Sequence, residues 1–251
     1  MRWIQRTMAA AILSAITVAS SVGASFGQAP DKVVRIGYQK SSTLLTILKA
    51  NGTLEKLLGP GGAKISWHEF ASGLPLLEAL NVGGVDLSAD VADTVPVFAQ
   101  AAGADLLYVA YEPPAPTSEA ILVPKDSPIK SVAELNGKKV VLNKGSNVHY
   151  LLVRALEDAG LNYTDVKTVF LPPADARAAF ERGSVDAWVI WDPYQAAAEK
   201  QLSARTLVDG TGLVDNHQFY LATRPYANQH PQVITTLIDE VRSVGEWSQQ
   251  N

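Results

Sequence analysis

The feature that most limits the possible folds is an internal echo. The segment LEALNVGGVDL (77–87) and the segment RAAFERGSVDA (177–187) share a helical apolar pattern, a glycine stop, and a Val-Asp pair leading into an apolar run. Upstream, IGYQKSS (36–42) and VLNKGSN (141–147) each end an apolar run in a small polar loop that opens a helix. The alignment sets Ser41 beside Ser146 and Asp86 beside Asp186. Two such matches in the same order predict two similar lobes. Within each lobe, short apolar runs alternate with helical patterns, the signature of an α/β fold with mainly parallel strands.

The first lobe reads as strand VVRIGY, a helix pair broken at Asn51-Gly52, strand AKISWHEF, helix LPLLEALNVGG, strand VDLSA, helix TVPVFAQAAG and strand DLLYVAYE. The second reads as strand KKVVLN, helix VHYLLVRALEDAG, strand VKTVFL, helix DARAAFERG and strand VDAWVIW. Between them, prolines 113, 114 and 116 suit an extended crossover. Ser131 and Glu134 have the spacing of a capping box. A glycine-rich return leads to a strand around Phe219–Ala222, and a final helix from about Gln232 to Trp247 is expected to pack on the first lobe. Residues 32–113 and 214–251 are thus expected to form lobe 1, and residues 114–213 lobe 2. Two lobes joined by two segments make a hinge. In open α/β sheets a ligand sits beyond the carboxyl ends of the strands, so the cleft between the lobes is the expected site.

The helix opened by VLNKGSN shows what such a site offers. Leu151, Leu152, Ala155, Leu156 and Ala159 recur at helical spacing, and Gly160 stands where a C-terminal cap belongs. No acidic side chain among Gly145, Ser146, Asn147, Val148 and His149 neutralises the free N–H groups of its first turn. That suits an anion; the competing expectation is that Ser146 or Asn147 simply caps the helix.

Arg2 and Arg6 precede an apolar run from Met8 to Ala19 and a small-residue stretch, the layout of a secretory signal peptide spanning residues 1–24. The run is shorter than the ~20 residues that span a bilayer. Its removal takes the formal charge from −4 to −6, which gives no electrostatic case for nucleic acid. The chain has no cysteine, which excludes disulfides, thiolate metal sites, cysteine nucleophiles and a lipidated N-terminal cysteine. Four scattered histidines (68, 149, 217 and 230) without HExxH spacing give no metal site, and there is no G-x-S-x-G elbow. Ser146 and His149 lie one turn apart but lack an orienting third group. No cofactor and no enzyme activity are expected.

The blocks IGYQKSS, ISWHEFASGLPLLEALNVGGVDL, FAQAAGADLLYV, PPADARAAFERGSVDAWVIWDPY and FYLATRPYA resemble the aliphatic-sulfonate-binding proteins of bacterial ABC importers, which belong with taurine- and nitrate-binding proteins. The resemblance runs from about Val33 to Trp247. It implies a two-lobe periplasmic binding protein of type II, with two crossovers and the ligand in the interlobe cleft. It also implies a periplasmic, monomeric protein that delivers an aliphatic sulfonate to the membrane permease; taurine or another small anion such as nitrate is the alternative ligand. Members of that family continue for several helices after the equivalent of Trp247, so lobe 1 is expected to be incomplete at its C-terminus. In the loop SADVADTVPV, side chains replace the glycine of other members.

A sulfonate is a permanent anion with three acceptor oxygens, and its pocket should offer donors. Gln39, Ser41 and Ser42 meet that need from lobe 1; Gly145, Ser146, Asn147 and His149 meet it from lobe 2. Trp191, at the carboxyl end of its strand, is placed to cover the alkyl chain and supply an indole N–H, whereas Trp188 reads as core. Thr94 is a further donor candidate. Asp93 and Asp192 occupy matching loops as candidate ligand contacts that also read as N-caps, Asp192 with a proline at N1. Asp90 and Asp192 are the candidate partners for the ammonium of taurine. Asp86 and Asp186 are expected to make structural contacts beside their glycine turns.

Overall fold

The computed structural model describes residues 32–250. The expected signal peptide, residues 1–24, lies outside them. Among the described residues, ten strands form two five-stranded sheets with nine α-helices packed on them.

The first sheet contains β1 (Lys32–Gln39), β2 (Ala63–Phe70), β3 (Leu87–Ala92), β4 (Leu106–Tyr111) and β10 (Gln218–Thr223), in the order β2-β1-β3-β10-β4. The second contains β5 (Glu119–Val123), β6 (Lys139–Leu142), β7 (Lys167–Phe170), β8 (Ala187–Trp191) and β9 (Arg205–Asp209), in the order β7-β6-β8-β5-β9. The two orders are the same pattern. In each sheet three parallel strands are followed by one strand antiparallel to both neighbours, and that strand arrives from the other lobe. β5 enters the second sheet directly after β4, and β10 enters the first directly after β9, so the two lobes exchange strands.

The helices are α1 (Thr43–Asn51), α2 (Thr53–Leu58), α3 (Gly73–Asn81), α4 (Thr94–Ala101), α5 (Asn147–Asp158), α6 (Pro173–Glu181), α7 (Tyr194–Leu202), α8 (Arg224–Gln229) and α9 (Pro231–Ser248). The expected break at Asn51-Gly52 is real: Gly52 takes φ +62° between α1 and α2. β3, β5 and β8 are buried along their whole length, as central strands covered on both faces must be. Trp188 is fully buried in the core of the second sheet. α9 packs on α1 and α2, with Leu237, Val241 and Val244 buried in the first core.

The echo in the sequence has a shared physical cause. α3 ends with Gly83 N–H on the Leu80 carbonyl and Gly84 N–H on the Ala79 carbonyl. α6 ends with the corresponding pair, Gly183 to Phe180 and Ser184 to Ala179. Both are Schellman motifs, and both need the positive φ that Gly83 (+73°) and Gly183 (+67°) supply. Three residues on, Asp86 accepts the Arg35 N–H at 2.8 Å and Asp186 accepts the Lys139 N–H at 2.7 Å. Each aspartate thereby ties the turn to a parallel strand of its own sheet, β1 in the first and β6 in the second. Asp86 also holds the Arg35 guanidinium at 2.6 Å.

Some expectations are corrected. EAILV, read as part of an extended crossover, is the buried strand β5, and RTLVD is the strand β9. The crossovers are therefore shorter than expected, about residues 112–118 and 210–217. Ser131 and Glu134 form no capping box, because the Glu134 carboxylate accepts the Lys130 N–H and the turn is a 3-10 helix, Val132–Leu135.

Candidate functional site

The two crossovers lie side by side. Ala115 N–H donates to Asp215 O at 3.1 Å, Glu112 N–H to Gln218 O at 2.9 Å, and Gly210 N–H to Pro116 O at 3.0 Å. Asn216, 2% exposed and at φ +54°, is the joint of this hinge. Its Nδ2 donates to Ala115 O at 2.9 Å, while its Oδ1 accepts from Asn147 Nδ2 and Gln218 Nε2, both at 3.1 Å. One buried amide therefore links both crossovers to the first residue of α5.

Beside the hinge, a cavity of about 470 Å³ opens between the sheets, lined from both lobes by helix starts and strand ends. That size is within the range of small-molecule sites. Lobe 1 contributes Gln39, Ser41, Thr43 and Leu44 around the start of α1, and Gly73 at the start of α3. Lobe 2 contributes Ser146 and Asn147 at the start of α5, and Trp191, Asp192 and Pro193 ahead of α7. The crossovers add Glu112, Ala115, Ser118 and Asn216.

The start of α5 has the form an anion needs. Ser146 stands at the N-cap with extended backbone, yet its hydroxyl donates to Asn143 O at 2.8 Å and caps nothing. Asn147 is likewise turned to Asn216. Neither side chain covers the first turn, so the simple capping expectation does not hold, and the helix end is left with its N–H groups and dipole. α1 also lacks a side-chain cap bond. Here Ser42, rather than Ser41, holds the N-cap position, and its hydroxyl oxygen accepts the Gln39 N–H at 3.1 Å while its proton serves the Asp90 carboxyl. Gln39 is fixed in turn by Nε2 donating to Asp90 O at 3.0 Å.

Of the eleven residues singled out in the sequence, Gln39, Ser41, Ser146, Asn147, Trp191 and Asp192 line the cavity, and Ser42, Asp93, Thr94, Gly145 and His149 do not. Ser42 is fully buried beneath the loop. Gly145 is at φ +68°, and a Cβ there would meet Leu74 and Phe98 of lobe 1 at 3.7 and 3.9 Å. Its N–H donates to His149 Nδ1 at 3.2 Å, which leaves the His149 Nε2 proton for the Tyr163 hydroxyl at 2.8 Å. His149 thus packs against Tyr163 and Phe170, and burial together with nearby Lys144 lowers its pKa. Thr94 Oγ1 is buried. Asp93, at the N-cap of α4, makes no side-chain cap bond; burial raises its pKa, opposed by the backbone N–H groups of Thr94 and His217. Asp192 precedes α7 by two residues, and its Oδ1 accepts the Ala196 N–H at 3.1 Å.

Sequence reasoning marked Asp90 only as a partner for the ammonium of taurine and missed Glu112, its acidic neighbour in the wall. Asp90, on β3, and Glu112, just beyond β4, both line the cavity. Burial pushes the Asp90 carboxyl up to about 7, with the Glu112 charge adding and the Ser42 hydroxyl opposing. Glu112 accepts the Tyr220 hydroxyl at 2.5 Å. A third acid, Glu119 at the start of β5, is 1% exposed. Burial and then the Asp93 charge raise its pKa to about 8, against a hydrogen bond from Asn147. Glu112 and Asn216 flank the proline-rich and glycine-rich crossovers, the only sequence signal that marked them. The described residues contain no cluster of acids and histidines that could hold a metal ion, and no helix among them is long and apolar enough to cross a membrane.

Residues 70–248 match the NMT1/THI5-like family. The crystal structure of the periplasmic aliphatic sulphonate binding protein SsuA from Escherichia coli is 50% identical, with 87% of this chain and 74% of that one covered and a TM-score of 0.77. The alkanesulfonate-binding protein SsuA from Xanthomonas axonopodis pv. citri, bound to MOPS, is 44% identical over 86% and 74% of the two chains, with a TM-score of 0.81. The taurine-binding periplasmic protein of Escherichia coli is 28% identical over 89% of this chain and 69% of its own length. Its two-lobe fold matches that of the SsuA structures, and the chain belongs to the NMT1/THI5-like family.

Proposed function

We propose that this protein is the periplasmic solute-binding subunit of an ABC importer and captures an aliphatic sulfonate between its lobes. The observation that carries the reading is the cavity enclosed by two helix starts from different lobes, neither capped by a side chain, with an aromatic wall at Trp191. The sulfonate oxygens take the backbone N–H groups at the start of α5, those of Ser146 and Asn147 among them, the Ser41 hydroxyl and the second amide hydrogen of Gln39, while the alkyl chain lies on Trp191 and Leu44. Since the donors belong to different lobes, only the closed form presents them together, and the ligand stabilises that form by its differential contacts. The closed protein then docks on the permease and is itself a monomer. In this reading residues 1–24 direct export, residues 32–113 and 214–251 form lobe 1, and residues 114–213 form lobe 2.

Calorimetric titration with ethanesulfonate, taurine, nitrate and sulfate at one pH and salt concentration tests it. Ethanesulfonate is expected to bind most tightly. A preference for nitrate or sulfate, or no binding of any sulfonate, would refute the reading.

A further inference from the structure

An anion site with carboxyl groups in its wall poses an electrostatic problem. Asp90 and Glu112 both line the cavity that also holds the donor groups. Two carboxylates facing a bound sulfonate would place three like charges in a partly desolvated space, where each close pair costs several kcal/mol at an effective dielectric of ~20. The hydrogen bonds distinguish the two acids. Glu112 accepts from the Tyr220 hydroxyl at 2.5 Å. Asp90 is 7% exposed, and its buried Oδ1 has no hydrogen-bond partner among the described residues. With Asp90 in the cavity wall, a neutral carboxyl relieves the repulsion and can present its other oxygen to the cavity as an O–H donor.

We propose that Asp90 is a specificity-determining residue of the cleft that binds the sulfonate as a protonated hydrogen-bond donor, so that one proton is taken up from solvent with each ligand. The inference rests on the sulfonate reading of the cleft. The groups facing Asp90 agree with it. Glu112 and Tyr220 are the titratable neighbours from β4 and β10, and Asp192 faces the same cavity from lobe 2. Gln39 of β1 is uncharged, α3 carries only the solvent-exposed Glu78, and α4 has no titratable residue. The Ser42 hydroxyl and the Asp90 backbone N–H favour the charged form, but burial and the Glu112 charge outweigh them, and an arriving sulfonate adds to the repulsion. Burial already brings the carboxyl of the free protein to about 7. The protonated, binding-competent fraction then falls about tenfold per pH unit above that value, and apparent affinity falls with it. A sulfonate has no proton of its own to lose in this range, so the pH dependence belongs to the protein.

The test is calorimetric titration with ethanesulfonate from pH 5.5 to 8.5, in pairs of buffers of different ionisation enthalpy. The proposal predicts near-constant affinity below pH 6, weakening of about tenfold by pH 8, and uptake close to one proton per ligand at pH 8. The D90N variant, whose amide donates at every pH, is expected to lose the proton uptake and to bind about tenfold more tightly than the unmodified protein at pH 8. The proton count of the unmodified protein decides the matter even if D90N does not fold. Zero uptake with a flat pH profile overturns the proposal. So does proton release accompanied by tighter binding of taurine, which makes Asp90 a carboxylate for an ammonium group. Failure to bind ethanesulfonate at every pH instead refutes the sulfonate reading itself, and the proposal falls with it.

Discussion

Replacing Glu119 by glutamine should stabilise the protein above neutral pH and leave it nearly unchanged in acid. Glu119 opens β5 opposite Trp191, is 1% exposed, and has its Oε2 buried without a hydrogen-bond partner. Burial and the Asp93 charge raise its pKa from 4.5 to about 8. The folded state therefore binds more protons than the unfolded state between those values, and stability falls as pH rises through the interval. A shift of 3.5 units, from 4.5 to 8, corresponds to an upper limit of about 5 kcal/mol at pH 9, at 1.36 kcal/mol per unit. Relaxation around the ionised group reduces this to about 2 kcal/mol, or roughly 4–8 °C in Tm for a chain of this size. Glutamine keeps the acceptor facing Asn147 and never ionises. Thermal unfolding of both proteins at pH 5, 7 and 8.5 is the assay, with E119Q expected to match the unmodified protein at pH 5 and to exceed it progressively at the higher values. A lower Tm for E119Q at pH 8.5, or a difference that does not change with pH, would refute the claim that Glu119 is held neutral in the fold.

Three further outcomes are expected. Gly210→Ala should loosen the hinge, because a Cβ there would lie 2.6 Å from Pro116 O, too close unless the crossovers separate; unfolding in urea should show a loss of about 1–3 kcal/mol. Asn216→Ala removes three hydrogen bonds and leaves an alanine at φ +54°, where only glycine and asparagine sit easily, so a loss of about 2–4 kcal/mol is expected in the same assay. Trp191→Ala removes the aromatic wall of the cleft and should weaken binding of longer alkanesulfonates by about 1–3 kcal/mol, with a smaller effect on methanesulfonate, measured by titration.

What the sequence made legible was local or repeated. The helix–glycine–Val-Asp unit could be read twice because the Schellman turn and the aspartate-to-strand bond depend on neighbouring residues of fixed type. The start of α5 was equally plain, since its loop, apolar face and closing glycine are contiguous. The rest depends on three-dimensional neighbours. Ser41 and Ser42 are adjacent in sequence, and only the turn at the end of β1 decides that one faces the cavity and the other the Gln39 N–H. His149 lies on the same first turn as Asn147, but the helix carries its ring to Tyr163. Asp90 and Glu112 are 22 residues apart and reach one cavity from strands on either side of β10, an order that the sequence does not show. β5 was hidden for the same reason: the four apolar residues after Glu119 have no helical or alternating period, and their burial comes from β8 and β9, far along the chain.

The central claim is that the anion sits at the start of α5, and Ser146→Asp tests it most directly. The substitution puts a carboxylate at the N-cap, where it stabilises the helix but opposes a sulfonate about 4 Å away by about 4 kcal/mol at an effective dielectric of ~20. Calorimetric titration with ethanesulfonate at pH 7.5 should show affinity lowered by at least 100-fold while Tm is unchanged or raised. Binding as tight as that of the unmodified protein, in a variant that folds normally, would place the ligand elsewhere and contradict the account.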